Sequence, residues 1–214
     1  MLTRRTFSIG ALAATAASTV GFNQANALSA AAARYFDGFV DDNAFRYRKT
    51  NFDAIQPEWH RSVVQYYSEE PIGTIVVDTR NHYLYYIYEN QTALRYGVGV
   101  GREGFKWFGR ARVDRRAVWP RWTPPPEMHA RQPGLPQFVE GGDPINPLGP
   151  RALYLYDKGR DTGYRLHGTT EPWSIGKDVS SGCIRMFPED IVDLYQRAPN
   201  GTAVLVLEHI ASPS

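Results

Sequence analysis

The chain has 214 residues, of which 43% are hydrophobic and 13% aromatic, and it carries 24 basic and 22 acidic side chains. This length and composition suit one domain of ordinary size with an appended segment, and they argue against a disordered chain. The single cysteine, Cys183, excludes an intrachain disulfide and any cysteine-rich metal site, so packing must hold the fold together.

Residues 1–27 predict an export signal. Arg4 and Arg5 precede an uncharged stretch from Ile9 to Phe22, and Ala25-Asn26-Ala27 offers a cleavage site of the small-x-small type. The paired arginines are typical of a twin-arginine signal, with a plain secretory signal and an uncleaved anchor as the alternatives. Without these residues the basic and acidic side chains number 22 each, because Arg4 and Arg5 account for the excess.

Residues 28–60 lack a sustained hydrophobic period and are interpreted as an N-terminal extension that packs against a domain spanning residues 61–210. β-Branched and aromatic runs then predict strands in chain order at Thr74–Asp78, Tyr83–Tyr88, Ala93–Val100 and Ala111–Val118, the first two forming a hairpin. Glycines at 97, 99 and 101 resemble a phosphate loop superficially. No helix pattern follows them, so strand-end glycines are the better interpretation.

A local basic stretch in and around the fourth predicted strand contains five arginines, at 110, 112, 115, 116 and 121. We interpret them as a solvated strand face rather than a nucleic-acid surface, since no nucleic-acid-binding motif is present. A proline- and glycine-rich connection from Trp119 to Pro150 follows. In a compact domain, a connection of this length is usually a functional flap or lid.

The remaining elements are the strands Ala152–Tyr156 and Tyr164–His167, a helix over Pro188–Arg197, and a strand over Thr202–Leu207 that closes the sheet. Proline in the first turn, Glu189 and Asp190 near the positive end of the helix dipole, and Ile191 and Leu194 on one face support the helix. The predicted fold class is therefore mainly β, a sandwich or mixed sheet with few short helices and a long flap.

Cys183 lies sixteen positions after His167, within Ser180-Ser181-Gly182-Cys183-Ile184-Arg185. A free cysteine is most often a buried small hydrophobe. Here glycine, serine and arginine are poor core residues, so the segment predicts a turn that opens onto a site. A nearby cation or imidazole makes a thiolate available as a nucleophile, and Arg185 and His167 can supply both.

These residues resemble the signature of the YkuD-type L,D-transpeptidases, in which a histidine is followed, after a spacer, by Ser-His-Gly-Cys-x-Arg or Asn. The resemblance extends from about Ile75 to Leu207 and includes Val98-Gly99-Val100-Gly101, Trp119-Pro120-x-Trp122-x-Pro124-Pro125 and Asn146-Pro147-Leu148-Gly149. Ser181 stands where the family's second histidine is expected, which leaves His167 as the only imidazole of the motif.

The resemblance implies a periplasmic or cell-envelope enzyme acting on peptidoglycan stem peptides. Cys183 would attack the carbonyl of the L-centre of the diamino acid in a tetrapeptide stem, D-Ala would leave, and an amine would take the acyl group. That amine would belong to another stem or to an anchored protein, such as an outer-membrane protein or lipoprotein. His167 would act as the base, and the backbone N–H groups of Cys183 and Gly182 as oxyanion donors, with the Gly168 carbonyl orienting the imidazole.

Several alternatives stay open. Arg185 either binds a substrate carboxylate, with Ser181 beside it, or pairs with an internal acid and holds the turn. Water as acceptor would give an L,D-carboxypeptidase, and a noncatalytic cell-wall-binding protein on the same scaffold is a further possibility. No cofactor or metal is expected, because the other histidines lack ligand spacing. Packing is the interpretation for Trp119, Trp122 and Trp173, with a groove wall as the alternative, and surface solvation is the interpretation for Asp178.

Overall fold

The computed structural model describes residues 31–102, 107–180 and 182–208. The chain divides into two compact units, Met1–Ala33 and Arg34–Ser214, and the second contains every element described below. The predicted export signal, Ser181 and His209 lie outside the described residues.

One mixed sheet of nine strands dominates the second unit, in the order β12-β10-β9-β8-β13-β4-β5-β6-β3. Two small sheets, β1-β2 and β11-β7, accompany it. The strands are β1 Phe36–Asp42, β2 Phe45–Thr50, β3 Ser62–Gln65, β4 Ile75–Asp78, β5 Tyr83–Ile87, β6 Thr92–Gly97, β7 Val100–Gly101, β8 Gly109–Val118, β9 Arg151–Asp157, β10 Arg160–His167, β11 Asp178–Ser180, β12 Ile184–Arg185 and β13 Ala203–Val206.

The helices are few and short. Among the described residues of the second unit, the α-helices are α1 Pro126–Arg131 and α2 Pro188–Arg197, and single 3-10 turns occur at Phe52–Ala54, Pro57–Trp59 and Pro172–Ser174. The structure thus confirms the prediction of a mainly β fold with a mixed sheet and few helices. No helix in the described ranges combines the length and the apolar character needed to cross a membrane.

Helix α2 has the predicted bounds and presents the predicted face. Ile191 and Leu194 are fully buried and join the main core, where they pack with inward-facing side chains of β9 such as Leu153 and Leu155. Burying a side chain of this size stabilises the fold by about 1.5–3 kcal/mol relative to leaving it exposed. The helix therefore covers one face of the sheet and does not cover the opposite face of β9 and its neighbours.

The last strand, β13, lies in the middle of the sheet. It pairs parallel with β4 and antiparallel with β8, and it thereby joins the N-terminal strands to β8, β9 and β10. Sequence analysis expected this segment to close the sheet but did not place it at the centre. Val204 and Val206 are buried there because a central strand contacts neighbours on both sides.

The connection from Trp119 to Pro150 contains a helix that sequence analysis did not identify. This helix, α1, has Pro125 at its N-cap and Pro126 at its first position. Proline is compatible with the first turn of a helix, since the N–H that it lacks would have no intrahelical partner there. A proline-rich pattern therefore concealed a short helix.

The hairpin β1-β2 was also not predicted, since it was interpreted as an extension without a period. Its side chains are mostly exposed or half-buried on both faces, so the sequence shows no clean alternation. It packs on the rest of the unit through polar contacts: Asp42 accepts two hydrogen bonds from Arg151, and Glu189 accepts from the backbone N–H and the hydroxyl of Thr50.

Candidate active site

Strands β10 and β12 bring the two halves of the sequence motif together. They pair in parallel, with Leu166 opposite Ile184 and His167 opposite Arg185. Residues opposite each other in such a pair point to the same side of the sheet, and sides alternate along each strand. Cys183, one position before Ile184, therefore lies beside Arg165 and diagonal to His167 on a shared face.

The direction of that face follows from the core. Leu166 and Ile184 are fully buried and belong to the main hydrophobic cluster that α2 covers. His167 and Cys183 therefore point away from this cluster, toward the opposite side of the sheet. The nucleophile and the base predicted from sequence share one surface rather than lying on opposite sides of the domain.

His167 is held by the residue that follows it. Its side chain is 4% exposed, and its Nδ1 lies 2.5 Å from the Gly168 carbonyl oxygen. A carbonyl only accepts, so Nδ1 carries the proton and Nε2 is left as a proton acceptor. Burial lowers the pKa of the imidazole to about 4, an effect that the Gly168 hydrogen bond opposes and that the guanidinium groups of Arg185 and Arg165 reinforce.

Glycine is required at position 168 by close packing. A Cβ there would come within 2.9 Å of Pro150 Cδ and 3.1 Å of the Leu148 carbonyl oxygen. A Cβ on Gly149, whose φ is +65°, would in turn lie 3.1 Å from Gly168 Cα. The Asn146-Pro147-Leu148-Gly149 motif is thus the packing partner of the histidine turn.

Cys183 is partly exposed and follows a glycine in a backbone conformation that L side chains rarely adopt, with a φ of +120° at Gly182. Burial of the thiol group raises its pKa. The guanidinium of Arg165 and a hydrogen bond with the Arg165 backbone oppose this effect most strongly, followed by Arg185. At neutral pH the resting site therefore holds a neutral thiol and a neutral imidazole.

Arg165 was not singled out by sequence analysis. It forms a two-point ion pair with Asp161, with N–O distances of 2.7 and 2.8 Å, and its guanidinium lies 4.6 Å from the ring centroid of Tyr154. Its position beside the thiol follows from the pairing of β9, β10 and β12, which cannot be derived from motif spacing. The only sequence signal was its location two residues before His167 on the same strand face.

Arg185 pairs with Glu171, an acid whose side chain is about half exposed. Its Nη1 lies 2.5 Å from Glu171 Oε2, and its backbone exchanges hydrogen bonds of 2.8 and 2.9 Å with Gly99. This contact corresponds to the second of the two roles considered for Arg185, holding the turn. A Cβ on Gly99 would come within 2.6 Å of the Ser174 carbonyl oxygen, so strand-end packing accounts for this glycine.

The flap is tied to the site by one buried amide that sequence analysis did not recognise as a hub. Asn146 is 2% exposed, and its Nδ2 donates to the carbonyls of Pro120 and Glu140 at 2.9 Å. Its Oδ1 accepts from the Leu148 N–H at 2.9 Å. The family motifs around Trp119 and Asn146 thus meet each other and support the loop behind Gly168.

The predicted packing role of two tryptophans is confirmed. Trp119 donates from Nε1 to the Asp42 carbonyl and contacts Phe45 edge to face, and Trp173 packs on Tyr35 and Phe36. Asp178, interpreted as a solvated acid, instead lies 2.9 Å from His82 Nε2, although it remains mostly exposed. Within the described ranges, no group of three or more His, Cys, Asp or Glu side chains could hold a metal ion.

A buried, singly protonated imidazole on the same sheet face as a thiol is suited to acyl transfer through a thioester. The family comparison agrees with this arrangement. Residues 72–206 match the family model of the YkuD L,D-transpeptidase catalytic domain. The chain belongs to this family.

The chain is also similar to three individual proteins. It is 37% identical over 144 residues to "Probable L,D-transpeptidase YbiS" of Escherichia coli K12, covering 64% of this chain and 44% of that protein. The chain thus spans less than half the length of this curated relative. A solved structure of the "Ldtfm-avibactam carbamoyl enzyme" shares the fold, with a TM-score of 0.51 at 19% identity over 66% of this chain and 51% of that one. A Brucella melitensis structure described as "Probable carnitine operon oxidoreductase caia" is 42% identical over 73% of this chain and 99% of that one, with a TM-score of 0.49.

Proposed function

We propose that this protein is a peptidoglycan L,D-transpeptidase of the cell envelope, exported by the signal in residues 1–27. The single observation that carries the proposal is the shared face of Cys183 and His167 on neighbouring parallel strands, inside a domain of the L,D-transpeptidase family. The acyl donor is a tetrapeptide stem, and the acceptor is an amine of another stem or of an anchored envelope protein.

In the first half of the reaction, Cys183 attacks the carbonyl of the L-centre of the diamino acid. Nε2 of His167 takes the thiol proton as the sulfur–carbon bond forms, because its Nδ1 is already protonated and bonded to Gly168. The backbone N–H groups of Cys183 and Gly182 face the developing oxyanion. The imidazolium then returns the proton to the leaving amine, D-Ala departs, and a thioester remains on Cys183.

In the second half, the acceptor amine attacks the thioester. His167 takes a proton from this amine and returns it to the departing sulfur, which restores the neutral pair. A neutral thiol and a neutral imidazole suit this order of steps, since a proton is transferred with each attack. The buried site therefore carries no charge between turnovers. Water in place of the amine would give the carboxypeptidase reaction.

The test is a product analysis with purified protein and a tetrapeptide stem as the donor. Mass spectrometry is expected to show release of D-Ala and formation of a cross-linked dimer with the wild type, and neither product with Cys183→Ala. A tripeptide without dimer would replace the transpeptidase proposal with a carboxypeptidase. Unchanged tetrapeptide with folded protein and a free thiol would favour a noncatalytic wall-binding protein.

A carbapenem provides an independent check of the nucleophile. Attack of Cys183 on the strained carbonyl of the antibiotic is expected to add the mass of the drug to the intact protein. Cys183→Ser and Cys183→Ala are the matched controls, since the chain has no other cysteine. An unchanged wild-type mass would count against the proposed nucleophile.

A further inference from the structure

The face that carries Cys183 continues across the sheet as a transverse row of side chains. Arg165 on β10 lies opposite Tyr154 on β9, and Tyr154 lies opposite Arg115 on β8. Side chains opposite each other point to the same side, so Arg115, Tyr154, Arg165 and Cys183 form one row. The row runs at right angles to the strands and ends at the thiol.

A bulge creates the row. The pairing of β8 with β9 shifts between Val113 and Arg115, so Asp114 is an extra residue with no partner in register. Without it, alternation would turn Arg115 toward the core. With it, both Arg112 and Arg115 point outward, beside Tyr156 and Tyr154.

The two arginines of the row differ in what they already bind. Both stack on Tyr154, at 4.4 Å for Arg115 and 4.6 Å for Arg165, and so cover a ring that is only 8% exposed. Arg165 donates hydrogen bonds to the Asp161 carboxylate and to the Tyr164 carbonyl. Among the residues that the structure describes, the exposed Arg115 guanidinium forms no hydrogen bond or ion pair, although it lies near enough to Asp161 to attract that carboxylate electrostatically.

We propose that Arg115, held over the ring of Tyr154, binds a free carboxylate of the acyl donor and thereby selects acidic peptides. The inference rests on the proposed function, because it assigns a substrate group to the same site. A planar guanidinium fixed by stacking is pre-organised for two-point recognition of a carboxylate. Sheet strands lie about 4.8 Å apart, so a guanidinium above β9 lies roughly 10 Å from a nucleophile next to β12.

That separation determines where on the acyl donor the bound carboxylate lies. An extended peptide advances about 3.4 Å per residue and an acidic side chain adds about 5 Å more, so a side-chain carboxylate on the residue before the diamino acid can lie roughly 10 Å from the scissile carbonyl. Farther along β8, a surface cavity of about 450 Å³ is lined by Arg112 and Tyr156 of this face, by Asp114, Asp157 and Lys158, and by the core residues Ala111 and Val204. The cavity gives the remainder of the donor room on the acyl side.

The experiment compares two donors and four proteins. The donors are a tetrapeptide with a free carboxylate on the residue before the diamino acid and the same peptide with that carboxylate amidated. The proteins are the wild type, Arg115→Gln, Arg115→Lys and the charge-matched control Arg80→Gln, in the turn between β4 and β5. Thermal melts establish that each variant folds.

Arg115→Gln is expected to raise KM for the free-carboxylate donor about 10- to 100-fold, the range for losing a charge-assisted contact, with little change in kcat or in KM for the amidated donor. Arg115→Lys should recover part of this loss, and Arg80→Gln should behave as the wild type. Equal KM values for wild type and Arg115→Gln, or equal losses on both donors, would overturn the assignment.

Binding to Cys183→Ala separates this inference from the proposed reaction. Calorimetry with this protein is expected to show tighter binding of the free-carboxylate peptide than of the amidated one, and loss of that preference on adding Arg115→Gln. If wild type processes neither donor, the transpeptidase proposal fails, and the calorimetric preference still decides the carboxylate site. Absence of a preference would overturn it.

Discussion

Asp42 and Arg151, 109 positions apart, form a two-point ion pair that attaches the N-terminal hairpin to the first residue of β9. The N–O distances are 2.5 and 2.7 Å, and the side chains are only 15% and 9% exposed. Arg151 also donates to the Pro150 carbonyl, next to the glycine that packs on Gly168. These contacts therefore connect the hairpin to the loop that packs against Gly168, the residue whose carbonyl orients His167.

Asp42→Ala should destabilise the protein by about 3 kcal/mol, because it leaves the buried Arg151 without its counter-charge. Urea unfolding measures the free-energy change. Asp41→Ala is the matched control: its partner Arg46 is 3.2 Å away, and both side chains are mostly exposed, so a change within about 0.5 kcal/mol is expected. Equal effects of the two substitutions would contradict the anchoring role.

The reactivity of Cys183 should rise steadily with pH. Burial raises the thiol pKa and lowers the His167 pKa to about 4, so the pair is neutral at pH 7 and thiolate forms only as pH increases. Alkylation by iodoacetamide, followed by intact mass, should accelerate by up to about tenfold per pH unit between pH 6 and 8.

His167→Gln serves as the control for this profile. It should keep the rising alkylation profile, since solvent takes the thiol proton in that assay, while acyl transfer is lost. A rate that reaches its plateau near pH 5 in the wild type would instead indicate a preformed thiolate–imidazolium pair.

Asp190→Asn is expected to stabilise the protein above pH 7. Asp190 is 1% exposed in the first turn of α2, and among the described residues its Oδ2 has no hydrogen-bond partner. Burial raises the pKa of this carboxyl to about 7, against the attraction of Arg61 at 3.7 Å and with repulsion from Glu189 and Asp193. The folded state therefore favours the protonated form, and stability falls as pH rises from about 4 to 7.

The gain in Tm from Asp190→Asn should accordingly be larger at pH 8 than at pH 5. At pH 8 it should correspond to a free energy on the order of 1–4 kcal/mol. Arg61 keeps Asp193 as a partner at 3.0 Å, so the substitution does not isolate the guanidinium. A loss of stability at pH 8 would mean that the Arg61 contact outweighs burial.

Gly99→Ala should impair both folding and activity. The added Cβ would lie 2.6 Å from the Ser174 carbonyl oxygen, so either that backbone atom or Gly99, which is hydrogen-bonded to Arg185, would have to shift. Gly134→Ala, in the flap, is the control, since a Cβ there would meet nothing within 4 Å. Thermal melts and acyl-transfer rates measure both effects. A Gly99→Ala protein with wild-type values would remove the packing explanation for this glycine.

Most strands and helix α2 could be predicted because their signals are local. β4 and β5 are runs of β-branched and aromatic residues around a turn, and α2 has a proline start and an apolar face. Sequence analysis missed strands whose stability depends on distant partners. β3, for example, has four residues and alternates weakly, and it forms because β6 pairs with it.

The residues of the candidate site were likewise predictable only in part. The motif identified Cys183 and His167, and the glycines beside them, because spacing along the chain reveals them. Arg165 and Arg115 could not be identified, since they reach the site through lateral strand pairing and a one-residue bulge. The charge run that contains Arg115 was interpreted as solvated, and its alignment with Tyr154 becomes visible only when the register is known.

The central position of β13 has a consequence for how the chain acquires its shape. β4 and β8 each hydrogen-bond to β13, so the strands on its two sides cannot join into one nine-stranded sheet before β13 is present. It comes after every other described strand in the order of synthesis. The nine-stranded sheet is thus completed only after Ala203–Val206 is available, later in synthesis than every strand that carries the reactive face.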